Sequence, residues 1–207
     1  MTSYDLAIFD FDGTLADSAP WFIDILNDIA DRFGFRQASR EEIELLRSCN
    51  IREIIRRLEV PAWTLPYIAR HMRQRAAADA DRIGLFPGTW QALIALKEKG
   101  VDLAIVSSNA EANIRGTLGR ELAGLVAFYG CGSSLFGKAA KIRQAVKQCG
   151  AARARAIYIG DEMRDVEAAR AAGIASGAVT WGYAAPAALA QAGPTLTFRQ
   201  MSEIACL

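Results

Sequence analysis

The sequence has almost no histidine, since His71 is the single one among 207 residues. Catalytic schemes of the Ser-His-Asp and Cys-His types would have to recruit this one residue. It lies among arginines in RHMRQR, a pattern that favours a solvated helix face. Carboxylates must therefore carry most of any acid–base chemistry in this protein.

Paired cysteines are also absent. The four cysteines are widely spaced and form no CxxC pair: Cys49, Cys131, Cys149 and Cys206. With so little histidine, this spacing argues against a zinc site and against a disulfide framework. It is typical of a protein that works in a reducing compartment.

Long apolar runs are missing, and acidic residues interrupt the N-terminus, MTSYDLAIFDFD, before any stretch that could serve as a signal peptide. We therefore expect a cytoplasmic protein with no membrane partner. The 24 Lys and Arg balance 23 Asp and Glu, for a net charge of +1. Nothing in this balance favours a nucleic-acid partner, so any anion should be bound locally.

Apolar runs and amphipathic segments alternate along most of the chain. Five apolar runs predict strands, at 4–9, 101–108, 125–129, 155–161 and 175–180. Amphipathic segments at 89–100 and 137–150 each end in glycine and predict helices between strands. The alternation predicts an α/β fold with a doubly wound parallel sheet of about five strands.

Residues 17–84 have a different character, with helical periodicity, breaks at Pro61 and Pro66, and no convincing strand. We interpret them as an inserted α-helical cap domain, so that residues 1–16 and 85–207 form the catalytic core. The segment GLFPG at 84–88 suits a return linker that could serve as a hinge.

Asp10 and Asp12 are two residues apart at the end of the first predicted strand. In an extended backbone both side chains point the same way, so the two carboxylates would share one site. Like charges at that distance raise one pKa, leaving one group ionised while the other holds a proton. A polar turn after a strand explains DFDG equally well, because Asp-Gly is a common turn pair. Gly13 permits an unusual turn, and Thr14 could orient a carboxylate by a hydrogen bond.

A second pair of carboxylates follows the fourth predicted strand. Asp161 comes directly after it and Asp165 lies four residues on, on one face if a helix begins there. Capping of a helix N-terminus explains this pair as well. What capping leaves unexplained is that two strand ends present carboxylates. A hard cation bound by oxygen ligands, magnesium above all, would explain both pairs.

Candidates for anion binding lie elsewhere at the same predicted edge. Ser107, Ser108 and Asn109 follow the second strand and could hold phosphate oxygens, or could cap the next helix. Lys138 begins a predicted helix, a poor place for a cation unless it reaches an anion. Lys141 competes with it, and we expect Lys141 to be a solvated surface residue.

In order along the chain, DFDGTLADS, the serine of VSSN, the lysine of FGKAAK and the carboxylates of GDEMRD resemble the four motifs of the haloacid dehalogenase-like hydrolase superfamily. LADSAPWFIDILN, the helical segment after it and GLFPG look most like the phosphoglycolate-phosphatase-like branch, which carries a helical cap between its first two motifs. The resemblance spans the chain and implies a Rossmann-like core.

The resemblance implies that Asp10 is the nucleophile and a metal ligand. Asp12 would be the general acid and base and would bind the metal through its backbone carbonyl. Asp161 would complete the protein ligands of Mg²⁺, and Asp165 would support the metal shell. The role of Glu162, at a variable position of the motif, stays open.

Ser107 and Lys138 correspond to the phosphate-binding residues of the second and third motifs, and we add Thr14, Ser108 and Asn109 as substrate-binding candidates. The implied reaction is Mg²⁺-dependent hydrolysis of a small phosphorylated metabolite through an aspartyl phosphate, with phosphoglycolate as the substrate suggested by analogy.

Other functions remain open at this point. A phosphomutase would pass the phosphoryl group to a sugar hydroxyl, and a phosphoacceptor module or a non-catalytic phosphate-binding protein could keep the same residues. A dehalogenase is disfavoured, because it needs neither the second aspartate nor a metal. Four cap residues at a break in the helical pattern are weak candidates for specificity: Arg47, Ser48, Asn50 and Arg52. The sequence does not indicate an oligomeric state.

Overall fold

A computed structural model describes residues 4–132 and 137–207 and contains one sheet of six parallel strands in the order β3-β2-β1-β4-β5-β6. The strands are β1 (Leu6–Phe9), β2 (Asp102–Ile105), β3 (Val126–Tyr129), β4 (Ala156–Gly160), β5 (Ala175–Val179) and β6 (Leu196–Phe198). All five predicted strands are present, each shorter than its apolar run. The predicted doubly wound α/β fold is confirmed.

The expected number of strands was too small by one. The missed strand, β6, has three residues and pairs in parallel with β5 at the edge of the sheet, with Val179 opposite Phe198. Only Phe198 in this strand is buried. A segment this short has too little alternation to be recognised, because its extended shape depends on pairing with β5.

Within the described residues, ten α-helices accompany the sheet. They are α1 (Ala19–Phe33), α2 (Arg40–Leu46), α3 (Ile51–Arg57), α4 (Leu65–Ala78), α5 (Thr89–Glu98), α6 (Glu111–Leu125), α7 (Lys138–Gln148), α8 (Met163–Ala172), α9 (Pro186–Ala192) and α10 (Met201–Ile204). The helices predicted at 89–100 and 137–150 correspond to α5 and α7.

Helices cover both faces of the sheet. In β1, Ala7 and Phe9 belong to the hydrophobic cluster that includes Leu93 of α5 and Ile114 of α6. Leu6 and Ile8 point the other way, into a cluster formed with α7 and α8. Every residue of β1 is buried, as expected for a central parallel strand covered on both sides.

Residues 17–84 are helical, with α1–α4 and two short 3₁₀ turns and no strand in that range. Their small cluster of Ala38, Leu46 and Leu58 lies apart from the sheet. The two connections to the sheet run side by side, since the Asp17 N–H donates to the Gly84 carbonyl at 2.9 Å. The predicted boundaries, 16/17 and 84/85, fall at this pairing. The division into two domains stays a prediction.

His71 does not lie on a solvated face, so that expectation was wrong. Its ring is half-buried against Phe33, with ring centroids 5.5 Å apart. Burial, aided by the charges of Arg32 and Arg75, lowers the pKa of His71.

Within residues 4–132 and 137–207, no helix combines the length and apolarity needed to cross a membrane.

Candidate active site

The site forms beside β1, where the sheet changes direction: β2 and β3 follow on one side of β1, and β4, β5 and β6 follow on the other. β1 pairs with β2 on one side and with β4 on the other. Asp10 follows β1, Ser107 lies two residues after β2, and Asp161 follows β4. The carboxyl ends of parallel strands meet at one edge, and the reversal opens a crevice there. The fold therefore brings together residues that are about a hundred positions apart in the sequence.

Lys138 connects two carboxylates at this edge. Its Nζ lies 2.5 Å from Asp10 Oδ2 and 2.5 Å from Asp165 Oδ1, and its side chain is 6% exposed. Burial by itself would lower the pKa of Lys138, but the charges of Asp10 and Asp165 outweigh burial and raise it. Lys141, the competing candidate, is half-buried rather than solvated. The geometry thus favours Lys138 as the cation of the site.

Asp10 is 4% exposed, and its Oδ1 accepts the N–H of Phe11 at 2.8 Å. Burial raises the pKa of Asp10, although Lys138 opposes this shift. A single lysine shared with Asp165 therefore does not fully offset the cost of burying this charge.

Asp12 lies beside Asp10 and has different partners. The amide Nδ2 of Asn109 donates to both carboxylate oxygens, at 3.3 Å and 3.0 Å. Burial and the nearby charge of Asp10 raise the pKa of Asp12 to about 6. The two aspartates share one site, as their spacing predicted, and only Asp10 is paired with Lys138.

Asp161 is fully buried and held from two sides. Thr14 Oγ1 donates to Oδ1 at 2.9 Å, and the Tyr183 N–H donates to Oδ2 at 2.7 Å. Burial, with the charges of Glu162, Asp165 and Asp10, raises the pKa of Asp161 well above its usual value. A Cβ added to Gly13 or Gly182 would collide with Asp161, so both positions need glycine.

Asp165 lies in the first turn of α8, where its Oδ2 accepts the N–H of Glu162 at 3.0 Å. Capping of the helix and pairing with Lys138 thus use different oxygens of one carboxylate. Gly160 leaves room for it, because a Cβ there would overlap the Asp165 side chain.

Arg164 was missed by sequence reasoning. Its guanidinium pairs with Glu162 at 2.5 Å, and its side chain is 18% exposed. Within the described residues its buried Nε has no hydrogen-bond partner. No motif assigns this position a role, so no signal in the single sequence identifies it.

Three carboxylates form a group that could hold a metal ion. Asp10, Asp161 and Asp165 each offer one oxygen atom, all within 4.8 Å of one another. Burial raises the pKa of Asp10 and of Asp161, so a cation among these carboxylates would offset the cost of burying their charges. Oxygen donors of this kind fit Mg²⁺, which a few carboxylates hold together with water. Asp12, expected to bind through its backbone carbonyl, is outside this carboxylate group.

Of the three candidates after β2, Asn109 contacts Asp12, while Ser108 contacts α4. Ser107 Oγ accepts the Asn109 N–H at 3.2 Å, while the Asn109 amide donates to Asp12. The Ser108 carbonyl accepts Arg73 Nη1 of α4 at 3.4 Å. The N-cap of α6 is Ala110, which makes no side-chain cap bond of its own, but Asn109 Oδ1 accepts the Ala110 N–H at 2.8 Å, so Asn109 serves both the start of this helix and Asp12.

A loop after β5 also reaches the site, and sequence reasoning missed it. Besides the Tyr183 N–H on Asp161, Trp181 Nε1 donates to the Thr14 carbonyl at 3.1 Å. The loop holds Asp161 through a backbone N–H, which carries no residue-specific signal, and contacts Thr14 through the Trp181 indole. The sequence WGY at 181–183 therefore does not indicate that this loop lies beside Asp161.

The four weak cap candidates have different environments. Arg47 donates to the backbone of Gly182 and Tyr183 in the loop after β5. Asn50 caps α3 by accepting the Glu53 N–H at 3.0 Å. Ser48 and Arg52 are exposed. Arg47 is thus the candidate whose side chain contacts the loop beside Asp161.

Known proteins resemble the chain along most of its length. The family model for haloacid dehalogenase-like hydrolases matches residues 7–179. A phosphoglycolate phosphatase of Synechococcus elongatus is 36% identical over 177 residues, 85% of this chain and 84% of that protein. One from Agrobacterium fabrum is 30% identical over 191 residues, 86% of this chain and 81% of that protein.

The fold has close counterparts among solved structures. A haloacid dehalogenase-like family hydrolase of Streptococcus pneumoniae superposes with a TM-score of 0.79 at 24% identity and covers 100% of this chain and 99% of its own. That structure supports the fold, and the matches in sequence support the family. The motifs, the parallel sheet and these similarities agree: the chain belongs to the haloacid dehalogenase-like hydrolases.

Proposed function

We propose that the protein is a Mg²⁺-dependent phosphatase that hydrolyses a small phosphate monoester, with Asp10 as the nucleophile. The observation that carries the proposal is the buried contact of Lys138 with Asp10 and Asp165, next to Asp161 at the reversal of the sheet. A lysine and three carboxylates at this edge provide a nucleophile and a local positive charge for a phosphate.

In the proposed first step, a carboxylate oxygen of Asp10 attacks phosphorus in line with the ester oxygen. The P–O bond to the leaving group breaks, and Asp12 gives its proton to the departing oxygen. Asp12 suits this exchange because Asn109 holds its carboxylate and Lys138 does not. Asp12 then takes a proton from water as the water attacks the aspartyl phosphate, which releases inorganic phosphate and restores Asp10.

Several groups of the chain would hold the phosphoryl oxygens. We expect Lys138, which contacts Asp10, and Ser107 to bind phosphoryl oxygens, with Ser108 and Asn109 as further candidates after β2. The Thr14 hydroxyl is engaged by Asp161, so we expect its effect on substrate binding to be indirect. Bound Mg²⁺ would neutralise phosphoryl charge, held by Asp10, Asp161, Asp165 and the backbone carbonyl of Asp12.

The relatives guide the choice of substrate. The two relatives compared by sequence carry the name phosphoglycolate phosphatase, and one is 36% identical to this chain. Phosphoglycolate is therefore the first ester to test, within a wider set of small phosphorylated metabolites. A cytoplasmic location remains a prediction from composition.

The direct test is hydrolysis of phosphoglycolate and of an aryl phosphate, with Mg²⁺ and with a chelator. We expect turnover only with the metal, and loss of at least about a thousandfold in kcat for Asp10→Asn. The matched control is Asp81→Asn, which makes the same change at an exposed aspartate in the helical segment and should keep full activity.

The assay also separates the alternatives. A phosphomutase would yield an isomeric sugar phosphate rather than inorganic phosphate. A phosphoacceptor module or a binding protein would not turn over. Undiminished hydrolysis by Asp10→Asn would contradict the proposed nucleophile.

A further inference from the structure

Tyr183, in the loop after β5, touches both the catalytic carboxylates and the helical segment. Its N–H donates to Asp161 Oδ2 at 2.7 Å. Its hydroxyl lies 2.9 Å from Ser18 Oγ. Its ring packs edge-on against Phe22 of α1, with centroids 5.8 Å apart. One residue thus contacts a proposed metal ligand and the first helix of the insertion.

The hydroxyl of Tyr183 is connected to Asp12 through Ser18. Ser18 is fully buried, and its hydrogen bond lowers the pKa of Asp12. When the Asp12 carboxylate is ionised it can only accept hydrogen bonds, and in that state Ser18 donates to Asp12 and Tyr183 donates to Ser18. The contact with Ser18, together with the two hydrogen bonds from the Asn109 amide, restrains the Asp12 side chain.

Arg47, just after α2, fastens the same loop to the helical segment. Its Nε donates to the Tyr183 carbonyl at 3.0 Å, and its Nη2 donates to the Gly182 carbonyl at 3.3 Å. Its own carbonyl accepts the Ala185 N–H at 2.8 Å. Three hydrogen bonds therefore connect one residue of the insertion to the loop that holds Asp161.

The loop has little freedom to move without disturbing the site. A Cβ on Gly182 would collide with the Asp161 side chain and with the Gly13 carbonyl, so the backbone is already in close contact there. Displacement of the loop must shift the N–H on Asp161 and the hydroxyl on Ser18 together, because both belong to Tyr183.

We propose that Tyr183 is a positioning residue that makes the placement of Asp12 and Asp161 depend on the contact between Arg47 and the loop after β5. This inference rests on the proposed phosphatase function. When the insertion is docked, Arg47 holds the loop, Tyr183 holds Asp161, and the chain through Ser18 directs Asp12 towards the leaving oxygen. When it is undocked, both carboxylates lose an orienting bond.

Tyr183→Phe tests the chain to Asp12, because it removes the hydroxyl and keeps the ring and backbone contacts. We expect kcat/KM for an alkyl phosphate to fall about tenfold, since its strongly basic leaving oxygen needs a proton from Asp12. For an aryl phosphate with a weakly basic leaving group we expect less than about a twofold loss. Equal losses on both esters, or none, would overturn the proposal.

Ser18→Ala interrupts the same chain one bond nearer Asp12 and should show the same dependence on the leaving group. It provides a second measurement in case Tyr183→Phe folds poorly. An equal loss of kcat/KM on both esters in Ser18→Ala would count against the connection from Tyr183 through Ser18 to Asp12.

Arg47→Met tests the other half, because it keeps the apolar stem and removes the donors. We expect kcat to fall with little change in KM, and the double variant with Tyr183→Phe to lose no more than the more damaged single variant. Independent, multiplying losses would overturn the coupling. A rise in KM with kcat unchanged would assign Arg47 to substrate binding instead. Arg40→Met, at the exposed arginine that begins α2, is the control.

The wild-type enzyme separates the two proposals. If the wild type hydrolyses both esters and Asp10→Asn does not, the proposed function stands, and the variants of Tyr183, Ser18 and Arg47 decide the inference alone. If the wild type hydrolyses neither ester, the proposed function fails and the inference fails with it.

Discussion

At the scale of single residues, the site depends on how a few buried charges are paired. Lys138 bridges Asp10 and Asp165, whereas Asp12 is held by neutral donors. Burial raises the pKa of both Asp10 and Asp12, but only Asp10 has a lysine in contact that favours its ionised form. The difference in partners, rather than the shared residue type, divides the proposed roles of nucleophile and acid.

The two lysines of the third motif can be separated by one pair of variants. Lys138→Met should reduce kcat/KM by about a hundredfold or more, because the buried carboxylates and the phosphate lose their shared cation. Lys141→Met, three residues on in the same helix, should change it less than about twofold. Steady-state kinetics on phosphoglycolate measures both, and the opposite ranking would show that Lys141 is the phosphate-binding lysine.

Protonation of the site should influence the stability of the metal-free protein. Burial raises the pKa of Asp12 from 3.8 to about 6, and it raises the pKa of Asp10 and Asp161 in the same direction. A raised carboxyl pKa gives stability that is complete below the unfolded value and is lost as pH rises through the folded value. In chelator, Tm should therefore fall by about 5 °C between about pH 5 and pH 7.

Added Mg²⁺ competes with those protons, so its stabilising effect should be larger at about pH 7 than at about pH 5. Thermal unfolding with and without the metal measures the difference. Asp10→Asn is the informative control, since it removes one proposed metal ligand and should reduce the rise in Tm that Mg²⁺ produces. An equal rise in Tm at both pH values would contradict competition between Mg²⁺ and protons for these carboxylates.

At the scale of elements, strands and their ends were readable from the sequence, and loops that act through backbone atoms were not. The apolar runs that end in Asp10 and Asp161 predicted that both aspartates follow strands and lie at the carboxyl edge of the sheet. The loop after β5 holds Asp161 by the N–H of Tyr183, a group that every residue except proline has. The strand β6 was missed for a related reason, because its pairing partner and not its pattern makes it extended.

Gly182→Ala should show how closely that loop approaches the site. An added Cβ would collide with Asp161, and we expect kcat to fall by about a hundredfold. Gly116→Ala, in α6 with open space around the added atom, should leave kcat unchanged and raise Tm slightly. Full activity in Gly182→Ala would mean that the loop can withdraw without cost to Asp161.

At the scale of the whole molecule, the fold class and the family were confirmed, while the contacts between distant segments needed the structure. Lys138 was preferred to Lys141 from the sequence, and the structure adds the physical reason, because Asp10 after β1 and Asp165 of α8 lie on either side of its ammonium group. Arg47 was a weak candidate for specificity from its sequence position, and the structure connects it to the loop beside Asp161. No pattern in one sequence reports which loop faces which helix across about 140 residues.

The central claim is that Asp10 accepts the phosphoryl group, and mass spectrometry of enzyme quenched in acid during turnover tests it most directly. The account predicts that the peptide containing Asp10 gains the mass of one phosphoryl group, that fragmentation places it on Asp10, and that the label is lost when substrate is exhausted. Turnover at full rate with the label on another residue would contradict the account.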